Sequence, residues 1–100
     1  MIRRAALVAT LLAGPAMAAD PPLASYKSCI VAAAARLSTG PDAADLIAKH
    51  APAFCGSERR ALEAALGSIS DPIARFRTIE AAEQQAIDTA TTRILDLRAK

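Results

Sequence analysis

Two cysteines and one histidine are the residues of this chain that could bind a metal or carry redox chemistry. Cys29 and Cys55 are 26 positions apart, whereas redox pairs are typically separated by two residues, with a thiolate at the start of a helix. His50 is the only histidine, so a site built from it and Cys55 has too few ligands for a structural zinc ion. The cysteine spacing therefore does not favour redox chemistry, and the number of ligands does not favour a zinc site.

The carboxylates and the histidine form no pattern typical of an active site. His50 falls on the same predicted helical face as Ile47 and Phe54, which is typical of a packed residue rather than a general base. Glu80 and Glu83 are closely spaced carboxylates, for which a solvated helix face is the ordinary interpretation. No glycine-rich phosphate loop and no G-x-S-x-G sequence occurs. We predict no catalytic, cofactor-binding or metal-binding residue and expect that the protein is not an enzyme.

Four arginines form two short basic clusters, Arg59-Arg60 and Arg75/Arg77. One interpretation is contact with an acidic partner or an anionic envelope surface. The other is an ordinary solvated, salt-bridged surface. Three acidic residues near the clusters favour the second interpretation: Glu58, Glu63 and Asp71.

Residues 1–18 have the three zones of a secretory signal. Arg3 and Arg4 provide a positive start, an apolar stretch follows over 5–13, and small residues precede the predicted cleavage point. We expect cleavage after Ala18 or, as second choice, after Ala19, and a periplasmic or secreted mature chain. A retained N-terminal helix is the alternative. The predicted organisation is a signal peptide over 1–18 and a small helical domain over 19–100.

Removal of this segment changes the charge balance. The full chain has 12 Lys+Arg against 10 Asp+Glu, and the loss of Arg3 and Arg4 leaves ten of each. A neutral chain with few aromatic residues is a poor nucleic-acid binder and has no polybasic membrane patch. No apolar run is long enough to span a membrane. We therefore expect an unidentified protein partner or self-association.

Export would place Cys29 and Cys55 in an oxidising compartment, where two cysteines have a single intramolecular pairing. The favoured interpretation is a structural disulfide, with an intermolecular or free thiol pair and redox or metal chemistry as alternatives. Such a bridge stabilises a fold by roughly 3–4 kcal/mol. That contribution matters because alanine, which buries little apolar area, supplies 26 of the 100 residues.

Helix-forming residues dominate the chain and no alternating strand pattern occurs, so we predict an all-α fold. The first helix is expected from about Pro22 to Leu37, with Gly40 in a left-handed cap. Pro41 is expected to open the second helix, and Pro52 to bend or end it near His50. This bend would bring Cys55 within reach of Cys29. The predicted buried faces are Leu23, Tyr26, Ile30, Ala33 and Leu37 in the first helix and Ala43, Leu46, Ile47, His50, Ala51 and Phe54 in the second.

Two further helices complete the prediction. Ser57 is the expected N-cap of the third, with Ala61, Leu62, Ala65, Leu66 and Ile69 on its apolar face. Asp71 and Pro72 are the clearest helix start in the chain, from which a long fourth helix could run to about Arg98. Its first half is expected to pack on the first two helices, whereas Ile87, Ile94 and Leu97 form a candidate partner face. The predicted seam is Ile73, Phe76, Glu80, Glu83, Ile87, Ala90, Ile94 and Leu97.

The positions of several packing residues resemble a group of small, uncharacterised, exported two-cysteine helical proteins of Gram-negative bacteria. The resemblance covers about residues 26–66 and rests on these motifs: Tyr26-x-x-Cys29, Leu37-Ser38, Pro41-Asp42, Ala51-x-x-x-Cys55 and Leu62. It implies a periplasmic helical hairpin closed by Cys29–Cys55. The long C-terminal helix is predicted separately, from its own residues. The resemblance implies no activity, cofactor or partner.

Two functions are consistent with these features. The first is an interaction or structural module of the bacterial envelope, in which the long C-terminal helix docks on a partner or on a second copy. The second is an acid- or stress-responsive holdase chaperone, in which protonation of Glu80 and Glu83 makes the seam more apolar and opens a marginal fold.

Overall fold

A computed structural model describes residues 20–100, so the predicted signal peptide and its cleavage site lie outside the described residues. Within this range the chain is helical and contains no strand, which confirms the all-α prediction. The elements are α1 (Asp20–Leu37), α2 (Ala44–His50), a first 3₁₀ segment (Ala51–Phe54), α3 (Gly56–Ala65), a second 3₁₀ segment (Leu66–Ser68) and α4 (Pro72–Ala99).

The most extensive contact joins α1 and α4, which run side by side in the same direction. Tyr26 hydrogen-bonds Glu83 near one end of this contact, and Arg98 reaches the carbonyl oxygen of Ser38 at the other. Because alanine side chains are small, the two backbones approach closely and bury a core that contains few large side chains. The alanines buried in these two helices are Ala33, Ala34, Ala82, Ala86 and Ala90.

The connection from α1 to α2 differs from the prediction. No residue in 20–100 has positive φ, so the left-handed cap expected at Gly40 is wrong. Instead, the Gly40 amide donates to the carbonyl of Leu37. The second helix begins at Ala44 rather than Pro41, because the preceding loop is held by Arg98. Its guanidinium donates to the carbonyls of Ser38, Gly40 and Asp42 at 3.0, 2.9 and 2.6 Å.

The buried face of α2 is shifted by one residue from the predicted one. Ile47 and Ala51 are buried as expected, whereas Leu46, His50 and Phe54 are exposed. The helix is apolar on both sides, so its pattern does not determine which side faces the core. Pro52 ends the α-helix at His50, as predicted, and the chain continues as a 3₁₀ segment. The buried positions of α2 and this segment are Ala44, Ile47, Ala48 and Ala51.

The third helix begins at Gly56, and Ser57 is not its N-cap. The Ser57 hydroxyl donates to the carboxylate of Glu58 at 2.8 Å instead of accepting from the helix backbone. Leu62 and Leu66 are buried, as predicted, and contribute the large side chains of this part of the core.

The fourth helix is continuous over 28 residues, which the sequence left open. It starts where predicted, and Asp71 caps it by accepting from the backbone amide of Ile73 at 3.0 Å. The predicted seam is wrong in its first half, where Ile73, Phe76 and Glu80 are exposed. The contact between α1 and α4 already includes Leu23 of α1 and Thr78 and Ala82 of α4. Ile73 and Phe76 belong to the turns before it. The buried residues of α4 are Ile79, Ala82, Ala86, Ala90 and Ile94.

The first half of α4 packs on α1, as predicted, with Ile79 and Ala82 buried. The second half also packs on the hairpin instead of projecting. Ile94 is fully buried and Ile87 is partly buried against the core. Leu97 is also partly buried. The candidate partner face made of Ile87, Ile94 and Leu97 is thus wrong for Ile94, because that side chain fills the interior between α4 and its neighbours.

Candidate functional site

Three polar side chains from three helices meet at the junction of α1, α3 and α4. The Tyr26 hydroxyl donates to Oε2 of Glu83 at 2.6 Å, and the Arg59 guanidinium donates to the same oxygen at 2.9 Å. Arg59 also pairs with Glu63, one turn further along α3, at 3.3 Å. This network ties α3 to the α1–α4 pair and places the guanidinium of Arg59 between two carboxylates.

Burial determines the chemistry of the tyrosine in this network. The Tyr26 side chain is completely buried, and burial of the phenol, together with its hydrogen bond to the Glu83 carboxylate, raises the pKa of Tyr26 from 10.0 to about 12. The group is therefore a hydrogen-bond donor at neutral pH and not a base. The hydrogen bonds of Glu83 to Tyr26 and Arg59 hold α1, α3 and α4 together at this point.

Arg59 also forms one wall of an open groove between the end of α3 and the start of α4. The groove has a volume of about 370 Å³. Leu66 and Ile79, both largely buried, form its apolar floor, and Phe76 forms a rim that is 53% exposed. Its polar lining consists of Arg59, Glu63 and Arg75. We refer to these residues, with Gly67, as the α3–α4 groove.

Arg75 differs from Arg59 in its electrostatic environment. Arg75 donates one N–H to the carbonyl oxygen of Ile69, and its side chain lines the groove. Within residues 20–100, no carboxylate lies within 4.0 Å of it, whereas Arg59 has two. The groove therefore combines an apolar floor with one arginine whose charge is not matched by the described part of the chain.

A larger but shallower surface depression, about 460 Å³, lies between α1 and α4. The Lys27 amino group donates to the side-chain oxygen of Gln85 at 3.0 Å across the two helices. No aromatic side chain lines this depression. Its other lining residues are small: Ala24, Ser28, Val31, Ala86 and Thr89. We therefore consider the α3–α4 groove the better candidate site.

Both phenylalanines of the chain are on the surface. Phe54 is 61% exposed in the first 3₁₀ segment, and Phe76 is 53% exposed at the groove. Alanine, in contrast, supplies half of the buried apolar positions. A small domain gains stability by burying large side chains, and these two phenylalanines contribute little to that burial.

The distance between the two cysteines confirms the predicted pairing of Cys29 with Cys55. The Sγ atoms of Cys29 and Cys55 lie 2.13 Å apart, with their Cα atoms 6.0 Å apart. Cys55 is fully buried and Cys29 is partly buried against the core. The 3₁₀ segment after α2 positions Cys55 against α1, as the bend at Pro52 predicts.

The other residues considered for chemistry do not converge. His50 is exposed, so its predicted packing beside Ile47 is wrong. Residues 20–100 contain no group of three or more histidine, cysteine or acidic side chains placed to hold a metal ion. Glu80 is exposed, and only Glu83 of the two predicted seam glutamates joins the network with Tyr26 and Arg59.

Sequence reasoning missed both the network and the groove. A tyrosine within the apolar stripe of α1 was a usable signal, because a buried phenol requires a hydrogen-bond partner. The identity of that partner was not accessible, since Glu83 lies 57 residues away in the sequence. The heptad pattern predicts Phe76 in the seam of α4, whereas the structure exposes it at the rim of the groove.

No helix within the described range is long and apolar enough to cross a bilayer. Comparison of the chain with family models, with curated proteins and with solved structures finds no match.

Proposed function

We propose that this chain is a small exported module of the bacterial envelope that binds another protein through its exposed aromatic surface. The observation that carries the proposal is the placement of Phe54 and Phe76 on the surface of a domain in which alanine supplies half of the buried apolar positions. Aromatic residues that lie exposed beside arginine are the residue types that contribute most to protein interfaces. The α3–α4 groove, with Phe76 and two arginines, is the preferred contact site.

Export is the second element of the proposal. It is supported by the signal-like zones of residues 1–18 and by a cysteine pair at bonding distance, which is compatible with an oxidising compartment. N-terminal sequencing of the protein recovered from the periplasm is expected to give a first residue of Ala19 or Asp20. Recovery of the intact N-terminus from the cytoplasm would contradict this element.

Site-specific photo-crosslinking in cells tests the interaction. A photoreactive phenylalanine analogue is placed at Phe76, at Phe54 or, as control, at the exposed Thr92 on α4. We expect Phe76 to give a discrete crosslinked species that is absent for Thr92 and is lost when Arg75→Glu is added. A species of twice the chain mass would identify the partner as a second copy. Absence of any discrete product at both phenylalanines would refute the proposal.

An acid-responsive holdase is a second candidate, favoured by the position of Glu83. This carboxylate accepts hydrogen bonds from both Tyr26 and Arg59, so its protonation would weaken the junction of three helices. Glu83→Gln imitates the protonated side chain and is expected to bind a hydrophobic dye and to suppress client aggregation at neutral pH. The exposed Glu80→Gln serves as the control. If Glu83→Gln neither binds dye nor protects a client, and acid has no effect on the wild type, this candidate is rejected.

A further inference from the structure

We infer that the α3–α4 groove binds a protein segment in which a large apolar side chain lies next to an aspartate or glutamate. This inference rests on the proposed function and specifies the chemistry of the partner. The structural basis is the juxtaposition of an apolar floor with an arginine that has no carboxylate partner in the described chain.

The apolar part of the groove explains why the bound segment needs a large apolar side chain. Leu66 and Ile79 are each 6% exposed and form a floor that belongs to the core. Phe76 stands beside them with half of its surface in solvent. A leucine or phenylalanine side chain fits within about 370 Å³ and would cover the face of Phe76 that water now contacts, which is favourable in proportion to the apolar area removed.

The charged part of the groove explains why the bound segment needs an aspartate or glutamate. The Arg59 guanidinium is already paired with Glu63 and Glu83. The Arg75 guanidinium has five N–H donors, of which one is used on the carbonyl of Ile69. Its remaining donors suit a carboxylate, which arginine binds in a two-point geometry that lysine does not reproduce.

The charges that line the groove favour an acidic segment over a basic one. The groove is lined by two arginines and one glutamate, and the glutamate is engaged by Arg59. A basic segment would therefore place its charge against Arg75 without compensation. An acidic segment neutralises Arg75 and leaves the existing ion pairs of Arg59 intact.

Selection from a library of random linear peptides tests the inference, with the full-length oxidised protein immobilised. We expect enriched sequences to contain a large apolar residue within one or two positions of an aspartate or glutamate. Arg75→Glu is expected to reverse the preference to lysine or arginine, and Phe76→Ser to weaken binding of the selected peptides roughly tenfold. Leu95→Ser, which removes a large apolar side chain that is 55% exposed and lies outside the groove, is the matched control and is expected to bind as the wild type does.

Several outcomes overturn the inference. These are the absence of enrichment, an acidic preference that persists in Arg75→Glu, and equal binding by Phe76→Ser when circular dichroism shows the same helix content. Arg75-dependent binding to vesicles of anionic lipid without any peptide selection also overturns it. If crosslinking at Phe76 in cells succeeds while the peptide preference fails, the proposed interaction function stands and only the partner chemistry is wrong.

Discussion

Replacement of Tyr26 by phenylalanine removes one hydroxyl from the centre of the three-helix junction. The hydroxyl is buried and donates to a carboxylate at 2.6 Å. A hydrogen bond to a charged group contributes about 1.5–3 kcal/mol. Glu83 keeps Arg59 as a partner and its side chain is 28% exposed, so we expect the lower end, a loss of roughly 1–2 kcal/mol. For a domain of this size, the melting temperature falls by roughly 5–15 °C.

The pH dependence provides a second readout of the same contact. The pKa of Tyr26 is raised from 10.0 in the unfolded chain to about 12 in the folded chain. The folded state therefore holds the phenolic proton more tightly, and the contribution of Tyr26 to stability is fully present below pH 10 and is lost as the pH rises to 12. Each pKa unit corresponds to about 1.4 kcal/mol, reduced here because Glu83 and Arg59 reach solvent. Tyr26→Phe is expected to lack this alkaline loss.

The assay is direct because Tyr26 is the only tyrosine and tryptophan is absent. Ultraviolet absorbance of the phenolate gives its titration in the folded and in the denatured chain, and circular dichroism gives the melting temperature of each variant. A phenol that titrates at the same pH in both states, or a Tyr26→Phe variant as stable as the wild type at neutral pH, would refute the reasoning.

Three further substitutions test separate features. Reduction of Cys29–Cys55, or its replacement by two serines, should cost roughly 3–4 kcal/mol, and a melting temperature that reductant does not change would contradict a stabilising bridge. Arg98→Ala should cost roughly 1–2 kcal/mol through three lost hydrogen bonds to loop carbonyls. Arg98→Lys should recover little of this loss, and full recovery in urea denaturation would show that charge alone suffices. Asp71→Ala should cost about 1 kcal/mol, whereas Asp71→Asn should be nearly neutral, and equal melting temperatures of the two variants would argue against the cap.

The helices were predictable where a local signal fixes them. Asp71 followed by Pro72 sets the start of α4, and Pro52 sets the end of α2. Each signal acts through the backbone of its own segment, by capping an amide or by removing one. The pairing of Cys29 with Cys55 was accessible because only two cysteines are present.

The orientation of the helices was less predictable because alanine gives a weak pattern. The predicted buried faces contain both alanines and large side chains, so the pattern does not decide which of them meet the core. It predicts Phe54, Phe76 and Ile73 inward, whereas the structure exposes all three and buries alanines such as Ala82 and Ala86. Close approach of two helices requires small residues at the contact. The groove and the Tyr26 network depend on which helices are neighbours, and that information is not contained in any one segment.

The alanine contact between α1 and α4 limits which amino-acid substitutions this interface accepts. Alanine has no side-chain rotamers to adjust, so a larger residue at Ala34 or Ala90, both fully buried, requires the two backbones to separate. We expect related chains to accept only glycine, alanine or serine at such positions, while positions such as Leu95 on the outer surface vary widely. The interior would then diverge slowly and the surface quickly.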